Sequence, residues 1–102
     1  EEARRKGKVF HEGLNSLKEK YPDRIPYVFG EGMIASVLFK NPKTGEADSL
    51  FSSRVSETCM QKGLLVVHTG RESVKMGPPL TISDDALLEG LDVLDEAIRE
   101  NI

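Results

Sequence analysis

Leu64-Leu65-Val66-Val67-His68-Thr69-Gly70-Arg71-Glu72-Ser73-Val74-Lys75-Met76-Gly77-Pro78-Pro79 is the stretch that decides the fold of this chain. Leu64 to His68 is an apolar, β-branched run and reads as a strand. Thr69-Gly70-Arg71-Glu72 reads as a tight connection, and Ser73 to Met76 as the returning strand. Pro78 and Pro79 have no N–H to give to a ladder, so the sheet ends there. The chain is thus expected to make an antiparallel hairpin late in its length. Gly63, just before it, suits the C′ position of a preceding helix.

Working backwards, that helix starts at Asp48 or Ser49, either of which can accept from free N–H groups in the first turn. Its apolar positions are Phe51, Val55 and Cys59, with Leu50 and Met60 as further candidates. Lys62 near its end suits the negative pole of the helix. Before it, Asn41-Pro42-Lys43-Thr44-Gly45 is a turn by composition. From Met33 the period is two: Met33, Ala35, Val37 and Phe39 share one face of a strand, and Ile34, Ser36 and Leu38 the other. Residues 23–32, with Pro26, Gly30 and Gly32, read as irregular. Residues 2–20 read as a helix in which Phe10, Leu14, Leu17 and Tyr21 form one stripe, ended by Pro22. Gly7 and Gly13 weaken it, and Glu1 to Lys8, charged on all faces, is expected to fray.

Downstream of the hairpin, Ser83 is a good N-cap, with Asp84 and Asp85 in the first turn. Leu87, Leu91, Leu94 and Ile98 then mark the cleanest helical stripe in the chain. The order is helix, strand, helix, strand, strand, helix. The expected fold is α+β: a small, mainly antiparallel sheet of three to four strands with helices packed on one face. Residues 1–102 form a single domain.

A length of 102 residues allows one core. With 6% aromatic residues and no Trp, that core must be mainly aliphatic. A net charge of −3 argues against nucleic acid or an anionic membrane as partner. No apolar run approaches the roughly 18 residues of a membrane span. Cys59, the single cysteine, cannot form an internal disulfide and points to a reducing, cytoplasmic setting. No signal-peptide core follows the charged start. The absence of an initiator Met at Glu1 fits a segment of a longer polypeptide.

No motif for self-contained catalysis is present. His11 and His68 have no metal-ligand spacing with Cys59 or an acid pair. His68 reads as a surface or interface residue, Cys59 as a buried helix residue and Ser83 as a cap rather than a nucleophile. Gly30-Glu31-Gly32 precedes a strand, not a helix, and so is not a dinucleotide fingerprint. The acids of the last helix (Asp84, Asp85, Glu89, Asp92, Asp95, Glu96) read mostly as a solvated face. Lys75 differs: a strand fixes its direction, so its ammonium can face a carboxylate or phosphate in a cleft beside the domain. The competing reading is a solvent-facing lysine that guards a sheet edge.

Four segments, taken in order, resemble the C-terminal small domain of class III (4-aminobutyrate- and acetylornithine-type) aminotransferases. They are Gly7-Lys8-Val9-Phe10-His11-Glu12-Gly13-Leu14; Val28-Phe29-Gly30-Glu31-Gly32-Met33-Ile34-Ala35; Cys59-Met60-Gln61-Lys62-Gly63-Leu64-Leu65; and Val74-Lys75-Met76-Gly77-Pro78-Pro79-Leu80-Thr81-Ile82, with the Gly90-Leu91-Asp92-Val93-Leu94 helix behind it. The resemblance covers nearly the whole chain. It implies a fold-type I enzyme that uses pyridoxal phosphate to move an amino group from an amine or amino acid to a keto acid. Its site lies between a large domain, this small domain and a second subunit. The Schiff-base lysine and the acid facing the pyridine nitrogen belong to the large domain, so the resemblance assigns no catalytic, cofactor-binding or metal-binding residue here. It does assign Lys75 to substrate binding, where many members carry an arginine for the substrate carboxylate. A lysine keeps the charge and loses the bidentate fork. Phe29 also stands where arginine is frequent, which removes a second cation.

The resemblance implies a piece that is inactive alone, binds no cofactor by itself, and works against the large domain of its own polypeptide in a homodimer. The opposing expectation is a free-standing α+β binding or assembly module without catalysis. The first predicts a bare apolar face on the first helix or the outer sheet surface; the second predicts a closed, polar surface.

Overall fold

The computed structural model describes residues 2–63, 67–68, 73–78 and 82–102. Leu64 to Val66, the Thr69–Glu72 connection and Pro79 to Thr81, all read above from sequence, lie outside the described residues. The elements are α1 (Glu2–Lys20), β1 (Val28–Phe29), β2 (Ala35–Leu38), α2 (Ser49–Gln61), β3 (Val67–His68), β4 (Ser73–Met76) and α3 (Asp84–Asn101). The four strands form one antiparallel sheet in the order β1-β2-β4-β3. The expected α+β architecture is therefore present, with one strand more than the element order read from sequence. Residues 23–32 are not wholly irregular: Val28 pairs with Val37 and Phe29 with Ser36. A two-residue strand is too short to show a period, which is why its sequence reads as loop.

Strand alternation sets the two faces of the sheet. Ala35, Val37, Val74 and Met76 are buried beneath the helices. Met33 and Phe39, just outside β2, extend the same buried face as expected. From α2, Phe51, Val55 and Cys59 enter this core, and Phe51 meets Phe39 edge-to-face at 5.2 Å between ring centroids. Each such apolar side chain contributes about 1.5–3 kcal/mol by leaving water. Leu50 and Met60 do not belong to the core: they are 61% and 58% exposed. At 100° per residue they fall beside the Phe51–Val55–Cys59 stripe, not on it. Asp48 is the N-cap, its Oδ1 accepting from Phe51 N at 3.0 Å. Gly63 takes φ +90° at the other end, the conformation expected of it.

α3 buries Leu87, Leu91, Leu94 and Ile98 as its stripe requires, and Ser83 Oγ caps it by accepting from Ala86 N at 3.1 Å. α1 buries Phe10, Leu14 and Leu17. The contacts between these helices ascend together: Arg5 to Asp84, Gly13 against Leu91, Lys20 and Tyr21 to Asp95. α1 and α3 thus run in the same sense, although they come from opposite ends of the chain. A Cβ on Gly13 would stand 2.4 Å from Leu91 Cδ1. The glycine that weakens α1 as an isolated helix is what lets α3 approach it.

Polar contacts fasten α3 to α1 and to α2, and they change the reading of the charged residues. Arg5 forks onto Asp84 with two bonds of 3.0 Å, and Lys6 donates to Ile82 O at 2.6 Å. The start of α1, expected to fray, is thus held to α3. Lys20 donates to Asp95 at 2.6 Å, and Tyr21 Oη donates to the other oxygen of the same carboxylate. Lys62 reaches Glu100 at 2.8 Å and Glu96 at 3.7 Å, linking the end of α2 to α3. Asp84, Asp95 and Glu96 are therefore inter-helix partners rather than members of a solvated face, whereas Asp85, Glu89 and Asp92 remain in the pattern expected.

Gly30 has φ +126°, and a Cβ there would lie 2.1 Å from Ile34 O. Gly30→Ala should lower unfolding free energy by roughly 2–4 kcal/mol, since backbone strain and a backbone clash combine; an unchanged urea midpoint would refute the turn geometry. For Asp95, partial burial raises the carboxyl pKa, but hydrogen bonds from Lys20 and Tyr21 outweigh it and the net shift is downward from 3.8. Its contribution is then fully present above pH about 3.8 and fades as pH falls through the lower folded value. Asp95→Asn should cost roughly 1 kcal/mol at pH 7 and close that gap under acid, as followed by urea unfolding at pH 7 and pH 3.

Candidate functional site

The face of the sheet opposite the helices carries the candidate site. On β4, Val74 and Met76 point into the core, so Lys75 between them is turned outward and is exposed. The pairing registers align Phe29, Ser36, Lys75 and Val67 in one row across all four strands. At about 4.8 Å per strand, Phe29 lies on the order of 10 Å from Lys75, with Ser36 between. Tyr27 stacks on Phe29 with centroids 5.6 Å apart and planes 18° from parallel. Tyr27, Phe29 and Ile34 are 57%, 54% and 57% exposed. This surface is an ammonium set beside a bare aromatic and aliphatic patch.

The edge-guard reading of Lys75 fails on topology. β4 is an interior strand, hydrogen-bonded to β2 on one side and β3 on the other. A lysine there has no edge to protect. Its side chain has no hydrogen-bond or ion-pair partner among the described residues. A fixed cation in an apolar surround, with a hydroxyl residue as its strand neighbour, is suited to hold an anionic group of a ligand by a charge-assisted bond.

The other residues weighed from sequence stand apart from this face. Cys59 is wholly buried in α2, and burial pushes its thiol up to about 11, slightly offset by Lys62. It is inert as a nucleophile. His11, half-buried on α1, lies edge-on to Phe10 at 5.3 Å, and its Nε2 has no partner among the described residues. His68 belongs to β3 opposite Val74. Ser83 does only the work of a cap. Among the described residues no group of His, Cys, Asp and Glu could hold a metal ion. Tyr27 was missed by the sequence reading. Its alternation with Phe29 across Val28 was the available signal, obscured by the prolines and glycines around it.

The domain thus combines an α+β fold with this outward face, and comparison with known proteins gives the family. Residues 1–98 match the family model for class-III aminotransferases, and the chain belongs to that family. It is 34% identical over 99 residues to the mitochondrial acetylornithine aminotransferase of Debaryomyces hansenii, covering 97% of this chain and 20% of that protein. It is 34% identical over 94 residues to the diaminobutyrate–2-oxoglutarate transaminase of Wolinella succinogenes, covering 90% and 20%. Among solved structures, the acetylornithine aminotransferase of Elizabethkingia anophelis superposes with a TM-score of 0.83 at 26% identity, covering 97% of this chain and 24% of that one. The chain thus spans about a fifth of the length of the curated relatives it matches. No helix among the described residues is long and apolar enough to cross a membrane.

The family works with pyridoxal phosphate, and the residues here do not by themselves fit that group. It needs an amine to hold it, an acid against its pyridine nitrogen and a donor cradle for its phosphate. The register neighbours of Lys75 are Ser36 and Val67, which supply neither the acid nor the cradle. These residues alone support no chemical step on the cofactor.

With its pKa near 11 and no surface exposed, Cys59 should react with an aromatic disulfide reagent at pH 8 at under roughly 1% of the rate of a free thiol, and fully in denaturant. Rapid native labelling would contradict the placement of α2 against the sheet.

Proposed function

We propose that this chain is the C-terminal small domain of a pyridoxal-phosphate-dependent class-III aminotransferase, and that its outward sheet face closes the substrate pocket against the large domain of the same polypeptide. The observation that carries this reading is the bare surface of Tyr27, Phe29 and Ile34 beside Lys75, whose side chain has no partner among the described residues. A monomeric domain that ended its structure there would leave stacked aromatic rings in water. Packing against a large domain removes them from water and leaves Lys75 as a cation directed into the interdomain cleft.

Within that cleft Lys75 binds and orients a substrate carboxylate. Its ammonium is a point charge, so it fixes the distance of the carboxylate and leaves its rotation to other groups. This favours a substrate class different from that of members with an arginine fork. The amino group passes from an amine or amino acid to a keto acid; the acetylornithine and diaminobutyrate enzymes among its relatives indicate the range. The small domain alone is inactive and binds no cofactor, because the groups that hold pyridoxal phosphate lie in the large domain, and the working enzyme is a homodimer. The buried thiol of Cys59 suits a reducing compartment, the cytoplasm in this reading; the fungal relatives are mitochondrial by name.

The alternative is a free-standing assembly module whose outward face binds another protein. The two are separated by the polypeptide on which these residues occur. A reading frame that extends about 300 residues upstream, with a product that shows the visible absorbance of bound pyridoxal phosphate, supports the transaminase; translation that starts near Glu1 supports the module. In the transaminase, Lys75→Ala should raise KM for the carboxylate-bearing substrate by roughly 10- to 100-fold with a smaller effect on kcat, and Lys75→Arg should largely restore it. Equal kinetics for Lys75→Ala and the unaltered enzyme would remove Lys75 from the pocket.

A further inference from the structure

We propose a second, separate site on this domain: a small-oxyanion pocket between Arg24 and Arg54, on the helical side of the molecule. A pocket of about 250 Å³ lies there, lined by the polar residues Arg24, Asn41, Asp48, Arg54 and Asn101 and by the apolar Leu50 and Phe51. It is built from the loop after α1, the turn before α2, the first turns of α2 and the end of α3. It shares no residue with the row that holds Lys75.

The lining is rich in hydrogen-bond donors. The Arg24 guanidinium lies over the Phe51 ring, 4.3 Å from ring centre to Cζ. It is only 19% exposed and makes one long bond of 3.4 Å to Asp48 Oδ2. A guanidinium has five N–H donors, so most of those of Arg24 remain available. Arg54, one turn beyond Phe51 on α2, has no hydrogen-bond or ion-pair partner through its guanidinium among the described residues. Asn41 accepts from Lys43 N and Thr44 N through Oδ1, which leaves its amide nitrogen as a donor. Asp48 opposes the two arginines, but its Oδ1 is committed to the N-cap of α2 and its Oδ2 to Arg24. The lining therefore keeps one net positive charge with unspent planar donors, the pattern that recognises carboxylate or phosphate oxygens. Asn101 spends its amide nitrogen on Ala97 O and Thr58 Oγ1 and so offers the pocket an acceptor. The volume suits a single phosphate or a short carboxylic acid, not a nucleotide.

The test is equilibrium binding of inorganic phosphate, and separately of acetate, to the intact polypeptide that carries these residues. Pyridoxal phosphate is kept saturating, and ionic strength is held constant with chloride so that screening is equal throughout. Arg54→Ala is the first variant, because Arg54 is exposed and its removal leaves the core and the N-cap in place. Expected is saturable binding of one anion that Arg54→Ala weakens by about tenfold or more and that persists in Lys75→Ala, where the carboxylate site proposed on the sheet face is removed. Tighter phosphate than acetate identifies a phosphoryl ligand; the reverse identifies a carboxylate. Arg24→Lys, which keeps charge but loses the planar stack, should weaken binding with an unchanged thermal midpoint. The proposal is overturned if neither anion binds above chloride, or if Arg54→Ala binds as the unaltered protein does. Loss of binding in Lys75→Ala with retention in Arg54→Ala would assign the anion to the outward sheet face and overturn it equally.

Discussion

The pairing of β2 with β4 is the constraint on which the rest of the domain depends. It joins residues 35–38 to residues 73–76, across α2 and β3, and places β4 in the interior of the sheet. Because β4 is paired on both sides, its alternation is strict: Val74 and Met76 enter the core and Lys75 leaves it. A slip of one residue would bury an ammonium and expose two hydrocarbon side chains. The same pairing that holds the hydrophobic core thus fixes the direction of the one cation proposed for substrate. β1 and β3 complete the row on either side, but neither could orient Lys75 alone.

The helical layer answers a different demand. Three helices must cover one face of a short, four-stranded sheet, and aliphatic contacts alone leave their relative positions loosely set. Glycines 7 and 13 bring α1 close to the Gly32 backbone and to Leu91 respectively, and directional bonds from Arg5, Tyr21 and Lys62 set the register along α3. These pairs are partly exposed, so their worth lies in specificity more than in stability. The Arg24–Asp48–Phe51 group does the same at the start of α2: one carboxylate caps the helix, receives a guanidinium and holds that guanidinium over an aromatic ring.

Much of this was legible in the sequence where one residue type has one physical outcome. The apolar stripes of α1 and α3, the Ser83 cap and the period-two strand around Val37 follow from periodicity and capping chemistry, and the structure places them as those rules require. Long-range outcomes were not legible. That Leu50 and Met60 face solvent depends on where α2 meets the sheet, and that Asp84, Asp95 and Glu96 are partners rather than a solvated face depends on which helices lie alongside. β1 was invisible because two residues carry no period. For the candidate site, Lys75 stood out as a strand residue, but whether β4 was an edge or an interior strand is a property of the topology, and that decided between its two readings. Tyr27 gained its place only when β1 brought it against Phe29.

The parallel arrangement of α1 and α3 has a consequence for how the domain comes to be folded. Their contacts join residues more than seventy positions apart, so the entropy of closing that loop must be met before any of them stabilises the structure. Local partners such as β3 with β4 are free to form earlier, and α1 has no partner helix until α3 has been synthesised. Until α3 is made, the stripe of Phe10, Leu14 and Leu17 lacks the helix that covers it in the folded domain. Dense charge flanks that stripe, Arg4 to Lys8 at the start and Lys18 to Lys20 at the end, the composition that opposes association of an exposed apolar segment.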